Sequence, residues 1–210
     1  MNVISDFLGT MQRIGSGRTG DSVMICWFLN FCSSLSYVGL LSAIAIFPAL
    51  AEHPSQSNLI KGFSELPLTM SGAGPMIAFG GATELAAVPW LKARGYGAIL
   101  NLRLDQERPG HLKLMKKQAK ANEIEYVHLP FDPATNTDIV PQFIEVIRAS
   151  ANHPLYIHCN SATRAAALWL IYRVLEDGLD FDEAKGEAET IAGRPEAAIV
   201  FAERYLSQRE

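Results

Sequence analysis

The residues Pro154-Leu-Tyr-Ile-His-Cys-Asn-Ser-Ala-Thr-Arg164 carry the densest chemistry in the chain. An apolar run ends in His158-Cys159, four residues separate Cys159 from Arg164, and the apolar segment Ala165 to Val174 follows. That order reads as strand, tight loop and helix. Such a loop turns successive backbone N–H groups inward at a helix N-terminus, where an anion is favoured. The same field favours a thiolate over a thiol. A nucleophile, an anion cradle and a guanidinium fork therefore converge in six residues. The bland alternative is a buried cysteine at a strand end and a surface arginine on the next helix, because free Cys often packs as a small hydrophobe.

Positioning such a loop needs a buried sheet and helices to cover it. Met76 to Phe79 reads as a short strand ended by Gly80-Gly81. Thr83 is placed to cap a helix running to Arg94, with Pro89 in its first turn and Gly95 as its stop. Ala98 to Arg103 is a second strand, followed by a polar loop over 104–110 and a helix at about 111–122. Glu125 to Leu129 is a third strand, and 130–137 is a loop. A helix at about 138–150 lines up Ile139, Phe143 and Ile147 on one face. Leu155 to His158 is the fourth strand. The helix after the cysteine, at about 164–176, is apolar all round and so central. Asp180 caps a helix at about 181–192, and the last helix begins near Pro195. Strands alternating with helices imply a parallel sheet covered on both faces. The expected fold is α/β: a three-layer sandwich over residues 76–210 with a central, mostly parallel sheet of four or five strands.

Composition narrows the partners. The chain has 210 residues and a formal charge of −4. That is room for one domain and an appendage, with no basic footprint for nucleic acid. Lys113, Lys116, Lys117 and Lys120 suit the solvated face of a helix. The segment from Val23 to Leu50 holds no charged residue, and Ala49-Leu50-Ala51 is a small-x-small site after it. This is the layout of a secretory signal, with export and cleavage near Ala51. The apolar run is also long enough to act as an uncleaved membrane anchor through residues 23–50. Cys26 and Cys32 lie inside it, so cleavage leaves Cys159 without a disulfide or resolving partner. Residues 52–75 are rich in Pro, Ser and Gly and read as a linker or ordered arm. Histidines 53, 111, 128, 153 and 158 show no ligand spacing, so neither metal nor cofactor is expected.

His158-Cys159-x4-Arg164 resembles the phosphate-binding loop of cysteine-dependent tyrosine and dual-specificity phosphatases. The chain is more similar still to a bacterial tyrosine-phosphatase-like branch labelled beta-lactamase-hydrolase-like, which carries the one-residue-shorter loop. That branch also has a Gly-rich entry like Gly80-Gly81-Ala82-Thr83, a strand like Ile99 to Arg103, an acidic turn like Asp105-Gln-Glu107 and a strand like Tyr126 to Pro130. The resemblance covers roughly residues 76–176 and the last helices. It implies a compact tyrosine-phosphatase fold and hydrolysis of phosphate monoesters, phosphotyrosine or related, through a cysteinyl-phosphate. The substrate would be a phosphorylated small molecule or protein, with no cofactor.

On that reading Cys159 is the nucleophile, and Arg164 grips two phosphoryl oxygens in a way lysine does not. The N–H groups of Asn160, Ser161, Ala162, Thr163 and Arg164 stabilise the equatorial oxygens. His158 orients the loop or is simply a satisfied buried histidine. The leaving oxygen needs a proton. Asp132, in the loop after the third strand, is the first candidate acid, and Asp138 is the runner-up or a first-turn carboxylate. Asn101, Arg103, Asp105 and Glu107 form a second polar constellation, in which Arg103 lines the site or pairs with Glu107. Three departures keep alternatives open. The loop has four residues between Cys and Arg rather than five, Ala162 stands where Gly is common, and Ala165 stands where Ser or Thr is common. A rhodanese-like sulfurtransferase working through a Cys159 persulfide and a binding-only pseudophosphatase are the two alternatives.

Overall fold

The computed structural model describes residues 55–209, apart from 70, 73, 137 and 150–153. The expected signal or anchor over 1–51, with Cys26 and Cys32, lies outside the described residues. Among those described, no helix is long and apolar enough to cross a membrane.

Five strands form one sheet: β1 (Ser64–Pro67), β2 (Met76–Gly80), β3 (Ala98–Asn101), β4 (Glu125–His128) and β5 (Leu155–His158). Their spatial order is β1-β2-β5-β3-β4. The pairs β2–β5, β5–β3 and β3–β4 are parallel, and β1 pairs antiparallel with β2 at the edge. The sheet is thus mostly parallel, as expected, with five strands. β1 lies inside the stretch read as a linker or ordered arm; here its residues join the sheet. Expected strand and helix positions otherwise hold to within a few residues.

Helices cover both faces. One layer holds α1 (Gln56–Leu59), α2 (Ala87–Ala93) and α3 (His111–Ala121). These pack on Ala78, Ile99 and Tyr156 with Val88, Leu91 and Met115. The other holds α4 (Ile139–Ala149), α5 (Thr163–Glu176), α6 (Phe181–Ile191) and α7 (Glu196–Ser207). These pack on Phe79, Leu100, Leu102 and Ile157 with Phe143, Trp169 and Phe201. Alternate strand residues therefore serve opposite cores, which is why the strands read as unbroken apolar runs. α5 is buried from Ala165 to Arg173, so an all-round apolar sequence finds an all-round partner.

Two local expectations are corrected. Thr83 does not cap a helix. Its hydroxyl donates to the Gly81 carbonyl at 3.0 Å and shares a 2.7 Å bond with the Tyr156 hydroxyl. α2 begins only at Ala87, with Pro89 still in its first turn. The second strand ends at Asn101, not Arg103, because the Asn101 side-chain oxygen accepts the Arg103 N–H at 2.9 Å and turns the chain. A side chain that bonds its own backbone two residues on competes with the ladder.

Candidate active site

Parallel strands end in register here. Gly80, His158, Asn101 and His128 stand in one row at the C-terminal edge. Ligands of open α/β sheets bind beyond this edge. The loops after β2, β3, β4 and β5 all leave from it, bringing residues near 81, 103–107, 131–132 and 159–164 beyond one edge of the sheet.

β5 delivers Cys159, which is fully buried, to the centre of that edge. Its N–H donates to the Gly80 carbonyl at 3.2 Å. Gly81 and Ser161 then face each other in a single antiparallel bridge. A Cβ on Gly81 would sit 2.8 Å from the Asn160 carbonyl oxygen and 3.2 Å from Ser161 Cα. The glycine is therefore what lets the two loops touch. Asn160 and Ser161 are exposed, and the Ser161 and Thr163 hydroxyls are 3.1 Å apart.

Ala162 has φ of 64°, in the left-handed region, at the N-cap of α5. That conformation costs a residue bearing a Cβ about 1–2 kcal/mol. Strain of this kind persists where surrounding structure over-determines it. The first bond of α5 runs from the Ala166 N–H to the Ala162 carbonyl at 2.9 Å. The N–H groups of Thr163, Arg164 and Ala165 therefore have no carbonyl four residues back inside the helix.

Arg164 is the most heavily engaged side chain of the group. Its Nη1 donates to Glu107 Oε1 at 2.6 Å, and its Nη2 donates to Glu107 Oε2 at 2.8 Å. Nη1 also reaches the carbonyls of Leu102 at 3.2 Å and Phe131 at 3.1 Å. A guanidinium has five N–H donors in a planar fork. With the Nη1–Nη2 edge taken by Glu107, the Nε–Nη2 edge is the one a second bidentate partner would use, and the Cys159 side chain also bonds Arg164. Burial opposes the Arg164 charge, and the bond from Glu107 with the charges of Cys159 and Glu107 overcomes it, raising its pKa. Burial likewise opposes the Glu107 charge. The bonds from Arg164 and from the Leu104 N–H outweigh it, helped by the charges of Arg164 and Arg103, so its pKa is lowered.

Arg103 pairs with Glu107, as one of the two sequence readings had it, with Nε 3.6 Å from Oε2. The stronger claim on Glu107 comes from Arg164, a partnership the sequence reading missed. No periodicity links residues 57 positions apart. The acidic turn after β3 was visible, but its target was not.

His158 is 1% exposed and stacks on Tyr156, with ring centroids 5.6 Å apart. Burial pulls its pKa down to about 3, so the ring is neutral. Neither ring nitrogen has a hydrogen-bond partner. Asp132 follows Phe131, whose carbonyl touches Arg164. Its Oδ1 accepts the Ala134 N–H at 3.0 Å. Asp138 instead borders a separate depression with Pro141, Tyr205, Gln208 and Arg209. Among the described residues, no group of three or more His, Cys, Asp or Glu side chains is arranged to hold a metal ion.

A family model described as DSP-PTPase phosphatase fused to NAD+ kinase matches residues 70–198. The chain belongs to that family. It is 29% identical over 102 residues to the beta-lactamase hydrolase-like protein of Agrobacterium fabrum, covering 48% of this chain and 24% of that one. The chain thus spans about a quarter of the length of that curated relative. Among solved structures it resembles the kinase associated phosphatase carrying serine at its catalytic-site cysteine. The TM-score is 0.55 with 16% identity, over 70% of this chain and 92% of that one. It also resembles Tk-PTP, with a TM-score of 0.53 and 19% identity, over 69% of this chain and 95% of that one. At such identities the likeness shows the fold: this phosphatase-family chain has a tyrosine-phosphatase-like sheet and helices.

Proposed function

We propose that this protein hydrolyses phosphate monoesters, phosphotyrosine or related, through a cysteinyl-phosphate on Cys159. The observation that carries the reading is the joining of Cys159, the left-handed turn at Ala162 and the start of α5 to an Arg164 held on one edge by Glu107. A phosphoryl group on the loop would meet the N–H groups of Asn160 to Arg164 and the Nε–Nη2 edge of Arg164. Both stabilise charge that spreads over the equatorial oxygens.

In the first step the Cys159 thiolate forms an S–P bond as the P–O bond to the alcohol or phenol breaks. Asp132 supplies the proton that the leaving oxygen takes. In the second step water attacks phosphorus, its proton passes to the Asp132 carboxylate, and the S–P bond breaks to restore the thiolate and release phosphate. His158, neutral and stacked, acts by fixing the strand end rather than by carrying protons.

The deciding experiment is hydrolysis of 4-nitrophenyl phosphate by residues 52–210 under reducing conditions, beside Cys159→Ser. Turnover that vanishes in the variant supports the reading. Folded, reduced protein that turns over no ester from pH 5 to 7.5 refutes it. A mass gain of one sulfur on Cys159 after thiosulfate treatment would then favour sulfur transfer over mere binding. We also propose that residues 1–51 export the domain, with cleavage near Ala51. The mature N-terminus, or retention in the membrane fraction, separates export from anchoring.

A further inference from the structure

Beside the loop lies a shallow depression, open on one side, lined by Asn101, Arg103, Asp105, Arg108, His111 and His128. It contains neither Cys159 nor Arg164. Its hydrogen-bonding balance is one-sided. The Asn101 side-chain oxygen is taken by the Arg103 N–H, and the Arg103 carbonyl is bonded by His128 Nε2 at 2.8 Å. Both oxygens of Glu84 are taken by Arg108, and both oxygens of Glu107 by Arg164. Asp105 stands on the rim, 73% exposed and 3.6 Å from His128. The acceptors are therefore consumed or in solvent. Donors are left over: Arg103 is 7% exposed with Nε lacking a hydrogen-bond partner, and His111 is 8% exposed with an unpartnered Nε2 that donates in the Nε2–H tautomer. α3 begins at His111, and its first-turn N–H groups add partial positive charge. A buried donor without an acceptor is destabilising. A guest that only accepts hydrogen bonds and carries negative charge relieves that cost.

The depression adjoins the Cys159 loop through one atom. Glu107 Oε2 lies 2.8 Å from Arg164 Nη2 and 3.6 Å from Arg103 Nε. The two guanidinium groups are neighbours across a shared carboxylate. We propose that the Arg103–His111 depression is a second oxyanion subsite, and that the preferred substrates carry a second phosphate or carboxylate near the phosphate that is cleaved. This rests on the phosphatase reading for its substrate class, while the anion subsite stands on its own geometry.

The probes are inorganic phosphate and linear tripolyphosphate, titrated calorimetrically into reduced protein at 0.15 M salt. Tripolyphosphate, long enough to reach both guanidinium groups, is expected to bind at least tenfold tighter than phosphate. His111→Gln, which removes no charge because burial and the Arg108 and Arg103 charges hold His111 neutral, should cut that ratio to about twofold or less. Should that variant fail to fold, Arg108→Gln on the exposed side is expected to lower the ratio as well. Lys116→Gln, on the solvated face of α3, controls for loss of general positive charge and should leave it unchanged. A ratio near one in the wild type, or one that His111→Gln and Arg108→Gln do not reduce beyond the Lys116→Gln control, overturns the subsite. Aryl phosphate turnover by the same wild-type sample reports separately on the phosphatase reading.

Discussion

Replacing Glu107 by glutamine tests the electrostatic centre of this site. The carboxylate receives two charge-assisted bonds from Arg164 and one from the Leu104 N–H at 2.8 Å, and it faces Arg103 at 3.6 Å. Glutamine keeps the shape and one acceptor but removes the charge. Two guanidinium groups then stand side by side with nothing between them to balance either. Breaking a buried ion pair by deleting one partner costs about 3–5 kcal/mol. The side chains here are 22% and 15% exposed, so water screens part of that loss. The expected cost is about 2–3 kcal/mol, which for a domain of this size lowers the melting temperature by roughly 5–10 °C. The pH dependence has a definite sign. Folding lowers the Glu107 pKa from its ordinary 4.5, so its contribution is complete above about pH 4.5 and disappears as pH falls through the lower folded value. Urea denaturation of wild type and Glu107→Gln between pH 3.5 and 7 reads both effects. A difference under about 0.5 kcal/mol at pH 7, or one that does not shrink in acid, refutes the argument. Combining Glu107→Gln with Arg164→Met should cost at least about 1 kcal/mol less than the two single losses together, since both act on one interaction.

Burial keeps His158 neutral with a pKa of about 3, while the unfolded chain takes up the proton near pH 6.5. Stability therefore falls as pH drops from about 6.5 toward 3, by about 2 kcal/mol at pH 5. His158→Gln should flatten that slope, and an unchanged slope in urea titrations would clear His158 of the acid sensitivity. Ala162→Gly should leave stability within about 0.5 kcal/mol of wild type, because relief of left-handed strain is offset by the entropy that glycine adds to the unfolded chain and by loss of a methyl buried in the core; a loss above about 1.5 kcal/mol would contradict this. Gly81→Ala should displace the Asn160–Ser161 backbone and reduce kcat for an aryl phosphate by about 10²-fold, and wild-type rates would show that the loops do not depend on this contact. Asp132→Asn should slow hydrolysis more for poor leaving groups than for good ones, and equal losses across a leaving-group series would remove Asp132 as the acid.

The amino-acid sequence by itself determined the local grammar of the site. The run Leu155 to His158, the polar turn and the apolar helix after it are written in contiguous residues, so periodicity alone placed Cys159 at a strand end and Arg164 at a helix start. Alternating strands and helices likewise required a parallel sheet with two covered faces. The tertiary structure decided what the ends of those elements meet. Strand order β2-β5-β3 brings the turn carrying Glu107 against Arg164 and Gly81 against Ser161. Neither pair has a local signature, because the residues are far apart in the chain and approach only once the sheet is assembled. The same assembly took Thr83 away from its expected helix cap and gave it to Tyr156, since a buried hydroxyl must bond whatever polar group lies nearest. It also recruited Ser64–Pro67 as an edge strand, where pairing with β2 outweighed a composition that reads as tether. Burial settled the rest: whether a charged or polar side chain is satisfied or left wanting depends on which neighbours exclude water from it. That is why the leftover donors of Arg103 and His111 appear only in three dimensions.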